Sequence, residues 1–292
     1  MSPRRPTIGV FDSGFGGLTV LKALLELVPA AEYAYFGDTA RLPYGSKSFE
    51  TVARYAVEAS HYLESQGAQL LVIACNTATA LALDRIYAAA HVPVVGVVEP
   101  GAEAASSATR NRKIVVIGTE ATVSSHAYRN ALEEYGIEAY EKACPLFVPL
   151  VEEGWTEHPV TEQVARIYLG EAMAQAPEQA DVLVLACTHY PLLVPMLRRV
   201  VPDQMQIVDS AESTARVVKK MLEEKSDCHP ERSEVAAATE RSRRTPTSAQ
   251  LSPAEHRSFR FYVTDSVDKF KRLAARFLGR QVDHVEHVDL GG

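Results

Sequence analysis

The sequence predicts an α/β fold made of two similar, pseudo-symmetric domains, each a mostly parallel sheet flanked by helices. Short apolar runs alternate with longer amphipathic stretches, which is the pattern of parallel strands joined by helical connections. One strand pattern occurs twice, at Leu71–Cys75 and at Leu183–Cys187, and each copy ends on a cysteine. The same spacing relates Ala68 to Ala180 upstream. Because whole units repeat over roughly a hundred residues, the pattern indicates a duplicated domain rather than a solenoid of short repeats.

The composition is that of an ordinary globular protein that acts on small molecules. Of 292 residues, 47% are apolar and 23% are charged, which suffices for one large or two modest domains. The net charge of −7 argues against nucleic acid or an anionic membrane as partner. No apolar run approaches the roughly 18 residues of a membrane span, and residues 1–6 lack the apolar core of a signal peptide, so we expect a cytoplasmic protein. The four cysteines are too few for a disulfide scaffold and are expected to be thiols.

The first half begins with a strand, a loop and a helix. A strand over Ile8–Phe11 runs into a polar, glycine-rich loop at Asp12–Gly17. A helical apolar face then extends from Leu18 to Val28, before Pro29 ends it. The further predicted elements of this half are a strand over Tyr33–Phe36, a helix over Val52–Leu63, the Cys75 strand, a helix over Thr77–Ala90 and a strand over Val94–Val98.

The pattern restarts at Lys113, which marks the second half. A strand over Ile114–Ile117 enters the loop Gly118–Thr122, much as the first strand of the chain enters its own loop. The later predicted elements are a helix over Val160–Ala174, the Cys187 strand, a helix from Pro191 and a strand over Gln206–Val208.

Residues 223–258 interrupt this order. They are rich in Ser, Thr, Pro, Ala and mixed charges and contain no aromatic residue, so we predict a mobile surface insertion. The adjacent Cys228 and His229 lack further ligands at a suitable spacing, so no metal site is expected there.

Ordered sequence is predicted to resume near Phe261, with a strand and a closing helix over Val267–Leu278. We expect this tail to pack on the first half. The predicted domains are therefore a discontinuous first domain, residues 1–98 with 210–292, and a second domain, residues 99–209.

Cys75 and Cys187 are the candidate catalytic residues. Each should lie where a strand ends and a loop begins, and α/β sheets bind ligands at that edge. Two equivalent thiols suit inversion at an α-carbon, because a proton must leave one face while another returns on the opposite face. A free cysteine has a pKa near 8.5 and is mostly protonated at neutral pH. The polar neighbours that could adjust the two thiols are Asp12, Ser13 and His189.

Taken singly, these residues have plainer interpretations. One cysteine at a strand end is commonly a small apolar core residue, although two at equivalent positions favour chemistry. His189 alone is compatible with a structural loop histidine, and Cys187 with His189 is compatible with half a metal site or a nucleophilic pair. The Asp12–Gly17 loop is neither a dinucleotide fingerprint nor a phosphate-binding P-loop, yet such a strand-to-helix turn can bind a carboxylate through its N–H groups.

Six short motifs are spread over both halves. They lie at Phe11–Gly17, Gly37–Asp38, Pro43–Gly45, Ala74–Ala78, Pro149–Gly154 and Ala186–Pro191. Singly they are unspecific, since Pro43–Gly45 alone is an ordinary turn. Together they resemble the glutamate racemases, cofactor-independent enzymes of bacterial cell-wall synthesis, and the resemblance covers nearly the whole chain except residues 223–258.

The resemblance implies a site in the cleft between the domains, glutamate as substrate, no metal or pyridoxal cofactor, and a homodimer. It implies that Cys75 removes the α-proton of D-glutamate and Cys187 that of L-glutamate. Asp12 would assist on the Cys75 side, and His189 and Glu152 on the other. The substrate-binding positions that it implies are Asp12, Ser13, Pro43, Tyr44, Gly45, Asn76, Thr77, Thr119, Thr122, Thr188 and His189.

Three other functions stay open at this point. A racemase of the same superfamily acting on aspartate or another amino acid would share both thiols. A Cys/His hydrolase would use Cys187 and His189 and leave Cys75 unexplained. A glutamate-binding protein would bind the amino acid without exchanging its α-proton.

Overall fold

A computed structural model describes residues 5–176, 180–227 and 259–290. The strands are β1 (Thr7–Asp12), β2 (Glu32–Gly37), β3 (Leu70–Ile73), β4 (Val94–Gly96), β5 (Lys113–Gly118), β6 (Glu138–Ala143), β7 (Val182–Ala186), β8 (Gln206–Asp209), β9 (Phe259–Val263) and β10 (Glu286–His287). The helices are α1 (Leu18–Leu27), α2 (Phe49–Ser65), α3 (Asn76–Ala89), α4 (Val98–Ala108), α5 (Glu120–Ser124), α6 (Ala127–Glu133), α7 (Phe147–Glu152), α8 (Pro159–Gln175), α9 (Val194–Leu197), α10 (Ala211–Asp227) and α11 (Val267–Leu278).

The strands form two parallel sheets whose shared topology confirms the predicted fold class. The first sheet has the order β10-β9-β2-β1-β3-β4, and the second has the order β6-β5-β7-β8. The run β2-β1-β3-β4 therefore recurs as β6-β5-β7-β8. The register repeats as well, because Val10 pairs with Val72 in one sheet and Val116 pairs with Val184 in the other.

The central strands are buried along their whole length, which explains their continuous apolar sequences. Every residue of β1, β3 and β7 is buried. A parallel sheet covered by helices on both faces has no solvent-facing side, so its strands need not alternate apolar and polar residues.

The C-terminal tail joins the first sheet, as the sequence predicts. Tyr35 of β2 pairs with Phe261 of β9. Phe270 of α11 packs against Phe15 and Tyr35, with ring centroids 6.0 and 5.7 Å apart. The exact domain boundaries stay a prediction.

Two predicted elements differ in the structure. The strand predicted over Val94–Val98 ends at Gly96, and Val98 begins α4, a helix that the sequence pattern did not indicate. Pro100 stands in the first turn of α4, where a backbone N–H would have no acceptor in the helix, so proline is tolerated. The helix predicted from Pro191 is a 3₁₀ turn over Tyr190–Leu193 followed by the single turn α9. Pro195 lacks the N–H that a continuous helix would need.

The predicted insertion begins too early. Helix α10 runs to Asp227, so residues 223–227 are helical rather than part of a mobile segment. Two exposed ion pairs, each spanning one helical turn, support this end of the helix: Lys219 with Glu223 at 3.9 Å and Lys220 with Glu224 at 4.0 Å. The amino-acid composition of the segment does not reveal this spacing. Residues 228–258, with Cys228 and His229, lie outside the described part of the chain.

No helix within the described ranges combines the length and the apolar character needed to cross a membrane.

Candidate active site

The two cysteines lie at equivalent edges of the two sheets, as predicted. Cys75 follows β3 and caps α3, where its Sγ accepts the N–H of Ala78 at 3.4 Å. Cys187 follows β7 directly. Both side chains are nearly buried, and both line one small cavity of about 40 Å³.

Most of the predicted site residues line this same cavity. Beside the two cysteines they are Ser13, Pro43, Tyr44, Gly45, Asn76, Thr77, Thr119, Glu152, Thr188 and His189. Asp12 and Thr122 do not line it but lie directly behind, in hydrogen-bond contact with Thr188 and Thr77 respectively. The sequence analysis missed Gly14, Leu42 and Val148, which complete the lining. Gly14 and Leu42 adjoin predicted residues, whereas Val148 carries no local signal.

On the first side, the hydrogen-bond partners of Cys75 are neutral groups. Its Sγ donates to Ser13 Oγ at 3.4 Å. Burial and the nearby Asp12 raise the pKa of Cys75 to about 11, although hydrogen bonds from Ser13 and Ala78 oppose the rise. The thiol is therefore protonated in the substrate-free protein.

On the second side, Cys187 lies beside a histidine and a carboxylate. Its Sγ is 4.0 Å from His189 Nδ1, and burial raises the pKa of Cys187 far above its ordinary value. The other ring nitrogen, Nε2, is 3.3 Å from Glu152 Oε1, within ion-pair range but off the line of a good hydrogen bond. Glu152 Oε2 accepts from Lys269 Nζ at 2.7 Å.

Glu152 is held as a carboxylate by its partners. Burial acts to raise the pKa of Glu152, but the close contacts with His189 and Lys269 outweigh it and hold this pKa below its ordinary value. A carboxylate at one ring nitrogen fixes the orientation of an imidazole. The arrangement places an ionisable pair behind Cys187, as the resemblance implied.

Asp12 is fully buried at the junction of the two halves. Its Oδ2 accepts the N–H of Gly14 at 2.9 Å, and its Oδ1 accepts from Thr188 Oγ1 at 3.4 Å. Burial raises the pKa of Asp12, while the charge of His189 and these hydrogen bonds oppose the rise. The group that bonds to Cys75 is Ser13 rather than Asp12, so the role of Asp12 on that side stays a prediction.

Three threonine hydroxyls join the halves beside the cavity. Thr77 Oγ1 lies 2.9 Å from Thr119 Oγ1 and 3.0 Å from Thr122 Oγ1, and the last two lie 2.9 Å apart. Hydroxyl hydrogens can rotate toward a new acceptor, so this cluster can bind a carboxylate without a fixed positive charge.

Asn76 presents a free donor to the cavity. Its Oδ1 accepts from Tyr128 OH at 2.6 Å, whereas its buried Nδ2 has no hydrogen-bond partner among the described residues. A buried amide without a partner is costly, so this group is suited to bind an acceptor on a ligand.

The hydroxyl of Tyr44 is already engaged. It donates to Asp38, which also accepts from Arg41 Nε at 2.9 Å. The part of Tyr44 that remains for a ligand is therefore its ring or its backbone, not its hydroxyl.

Two glycines allow the halves to approach closely. A Cβ atom at Gly16 would lie 2.2 Å from Thr188 Oγ1, and one at Gly45 would lie 2.7 Å from Thr119 Cβ. Each contact joins a loop of the first half to a site residue of the second. The glycines of the first loop thus permit close packing rather than a nucleotide-binding turn.

Comparison with known proteins agrees with this geometry. A family model described as Asp/Glu/hydantoin racemase matches residues 8–218. A glutamate racemase of Koribacter versatilis is 62% identical, with 100% of both chains covered. The structure of a Francisella tularensis glutamate racemase with D-glutamate is 32% identical, with a TM-score of 0.82 and 98% of both chains covered. A Thermus thermophilus glutamate racemase in complex with β-chloro-D-alanine is 42% identical, with a TM-score of 0.79 and 99% of both chains covered. The chain therefore belongs to the Asp/Glu/hydantoin racemase family.

Proposed function

We propose that this protein interconverts L-glutamate and D-glutamate by a two-thiol acid/base mechanism that needs no cofactor. The proposal rests on the positions of Cys75 and Cys187. The two cysteines follow equivalent strands of the two sheets and line one cavity. The relatives named glutamate racemase support glutamate as the substrate.

In the direction from L- to D-glutamate, the thiolate of Cys187 takes the α-proton and the thiol of Cys75 donates a proton to the opposite face. The reverse direction exchanges these roles. Both thiols are protonated before substrate enters, because burial raises the pKa of each. The positively charged ammonium group of the amino acid would favour loss of one thiol proton beside it, and at Cys187 that proton would pass to the facing ring nitrogen of His189.

The carboxylates of glutamate would be held by neutral donors. Among the described residues that line the cavity, none is Lys or Arg. Donors already in place are Asn76 Nδ2, the hydroxyl of Ser13 and the hydroxyls around Thr77. Fixed dipoles of this kind stabilise the charge that develops when the α-proton leaves.

The two-thiol cavity argues against the hydrolase alternative. A Cys187–His189 nucleophilic pair would not require Cys75, yet Cys75 lines the same cavity.

We further propose that the enzyme works in the cytoplasm as a homodimer and supplies D-glutamate for peptidoglycan. The reducing cytoplasm would keep both cysteines as thiols.

Competition among substrates tests the choice of glutamate. Purified protein without added cofactor is incubated separately with L-glutamate, L-aspartate, L-glutamine and L-alanine, and the D-enantiomer is measured by chiral chromatography. The proposal predicts a clear preference for glutamate in kcat/KM. Faster turnover of aspartate would reassign the substrate, and acyl-enzyme formation on Cys187 with glutamine would favour the hydrolase.

A further inference from the structure

Helix α11 of the C-terminal tail brings a lysine to the Cys187 side of the site. Lys269 Nζ lies 2.7 Å from Glu152 Oε2, although the two residues are far apart in the sequence. Glu152 belongs to α7 of the second half, whereas α11 packs on the first sheet through Phe270. The ion pair therefore joins two separately supported parts of the molecule.

Glu152 needs this partner because it is nearly buried. Its side chain is 10% exposed, while that of Lys269 is 35% exposed. A buried carboxylate is costly unless it is paired. The lysine is itself fixed, since its Nζ lies 5.2 Å from the centre of the Phe15 ring.

The same helix also supports the histidine. The ring of Phe277 meets the ring of His189 edge-on at a centroid distance of 5.6 Å. With Oε2 held by Lys269, the other oxygen of Glu152 is left for His189 Nε2 at 3.3 Å. The opposite ring nitrogen then faces Cys187 Sγ at 4.0 Å.

We propose that Lys269 is a positioning residue for proton transfer at Cys187: it fixes Glu152, which orients His189 beside that thiol. For the reaction itself, this inference rests on the proposed racemisation of glutamate. Among the described residues, the hydrogen-bond partners of Cys75 are Ser13 and the N–H of Ala78, and neither is ionisable near neutral pH. Loss of Lys269 should therefore slow one of the two proton transfers more than the other.

The asymmetry is not visible in kcat/KM alone. Enantiomers have equal free energies, so kcat/KM must be equal in the two directions for every variant. The primary deuterium isotope effects are free to differ. When transfer at Cys187 slows, the isotope effect on kcat/KM rises for α-deuterated L-glutamate and falls for α-deuterated D-glutamate.

The test compares Lys269→Met with Lys271→Met. Lys271 is on the same helix but lines a surface groove with Tyr262 and Asp283, so its loss matches the charge change away from the site. We expect Lys269→Met to lower kcat about tenfold, with opposite shifts of the two isotope effects, and Lys271→Met to do neither. Lys269→Arg should restore most of the rate, because it keeps a charged donor. Equal shifts of both isotope effects, or an unchanged rate, would overturn the proposal.

A second readout does not depend on turnover. Iodoacetamide modification of each cysteine is followed by peptide mass spectrometry in the wild-type protein, in Lys269→Met and in Lys269→Gln, which retains a neutral donor. We expect modification of Cys187 to slow severalfold relative to that of Cys75 in both variants. An unchanged ratio would overturn the role of Lys269. If the wild-type protein did not racemise glutamate but the ratio changed, the proposed function would fail while the arrangement around Cys187 held.

Discussion

The two halves place their cysteines alike but surround them differently. Cys75 caps α3, a helix of 14 residues, and its sulfur bonds to the N–H of Ala78 and to the hydroxyl of Ser13. Cys187 is followed only by a short 3₁₀ turn, and its neighbours are His189 and Glu152. A helix N-terminus stabilises a thiolate through its partial positive charge, whereas a short turn offers little of that field.

Duplication of the domain conserves the positions of the two thiols but not the groups that surround them. Duplicated sheets fix where the two thiols emerge, because that follows from strand order and register. The groups that adjust each thiol come from loops and helices that differ between the halves. The same catalytic element can therefore be supported by a helix dipole on one side and by an ionisable pair on the other.

The largest expected effect is loss of either thiol. Cys75→Ser and Cys187→Ser should each lower racemisation by about 10³-fold or more, because each removes a general acid/base that the other cannot replace. With a glutamate that carries a leaving group on the β-carbon, each single variant should still eliminate that group, but from one enantiomer only. Cys75→Ser should act on the L-form and Cys187→Ser on the D-form. Near-wild-type racemisation by both variants would contradict the two-thiol account.

A smaller loss is expected where the halves touch. Gly16→Ala would place its Cβ 2.2 Å from Thr188 Oγ1 and 2.5 Å from His189 Nδ1, so these two site side chains must shift. We expect a loss of about 10²-fold in kcat, since small misplacements of catalytic groups are costly. Gly170→Ala is the matched control, because a Cβ there meets nothing within 4 Å. Equal activity of the two variants would show that the close approach at Gly16 is not needed.

The pH dependence of thiol modification compares the two cysteines directly. In the substrate-free protein, burial raises the pKa of Cys75 to about 11 and that of Cys187 further. The thiolate is the reactive form, so modification of Cys75 by iodoacetamide should rise about tenfold per pH unit up to about pH 10. A free cysteine would level off near its ordinary value of about 8.5. Cys187 should react more slowly throughout, and the reverse order would contradict the assigned environments.

The smallest effect is expected from the neutral partner of Cys75. Ser13→Ala removes one hydrogen bond made by the sulfur, and such a bond is worth about 0.5–1.5 kcal/mol, or roughly a twofold to twelvefold change in rate. The loss should appear as a larger isotope effect with α-deuterated D-glutamate. A larger isotope effect with the L-form instead would place Ser13 on the other side of the reaction.

Much of the fold and site follows from sequence where the signal is local. The apolar runs before Cys75 and Cys187 predict both strands, and the repeat predicts their equivalence. Glu152 and His189 lie within short motifs. Val98 is different. Its β-branched neighbours favour a strand, but in the structure Val98 is the first residue of helix α4.

Residues that tertiary packing brings to the site from distant parts of the sequence have no local sequence signal. Lys269 sits in an amphipathic helix among other charged residues, and only the packing of α11 against Phe15 brings it to Glu152. Val148 lines the cavity as an ordinary apolar residue of α7. The end of α10 was also missed, since a polar helix and a polar insertion share a similar composition.

The most direct test of the central claim follows the circular dichroism of L-glutamate, and separately of D-glutamate, in deuterated buffer with purified protein and no added cofactor. The account predicts that both signals decay to zero and that deuterium enters the α-position of the product. Folded protein that binds glutamate but neither changes its optical signal nor exchanges its α-proton would contradict it and indicate a binding protein.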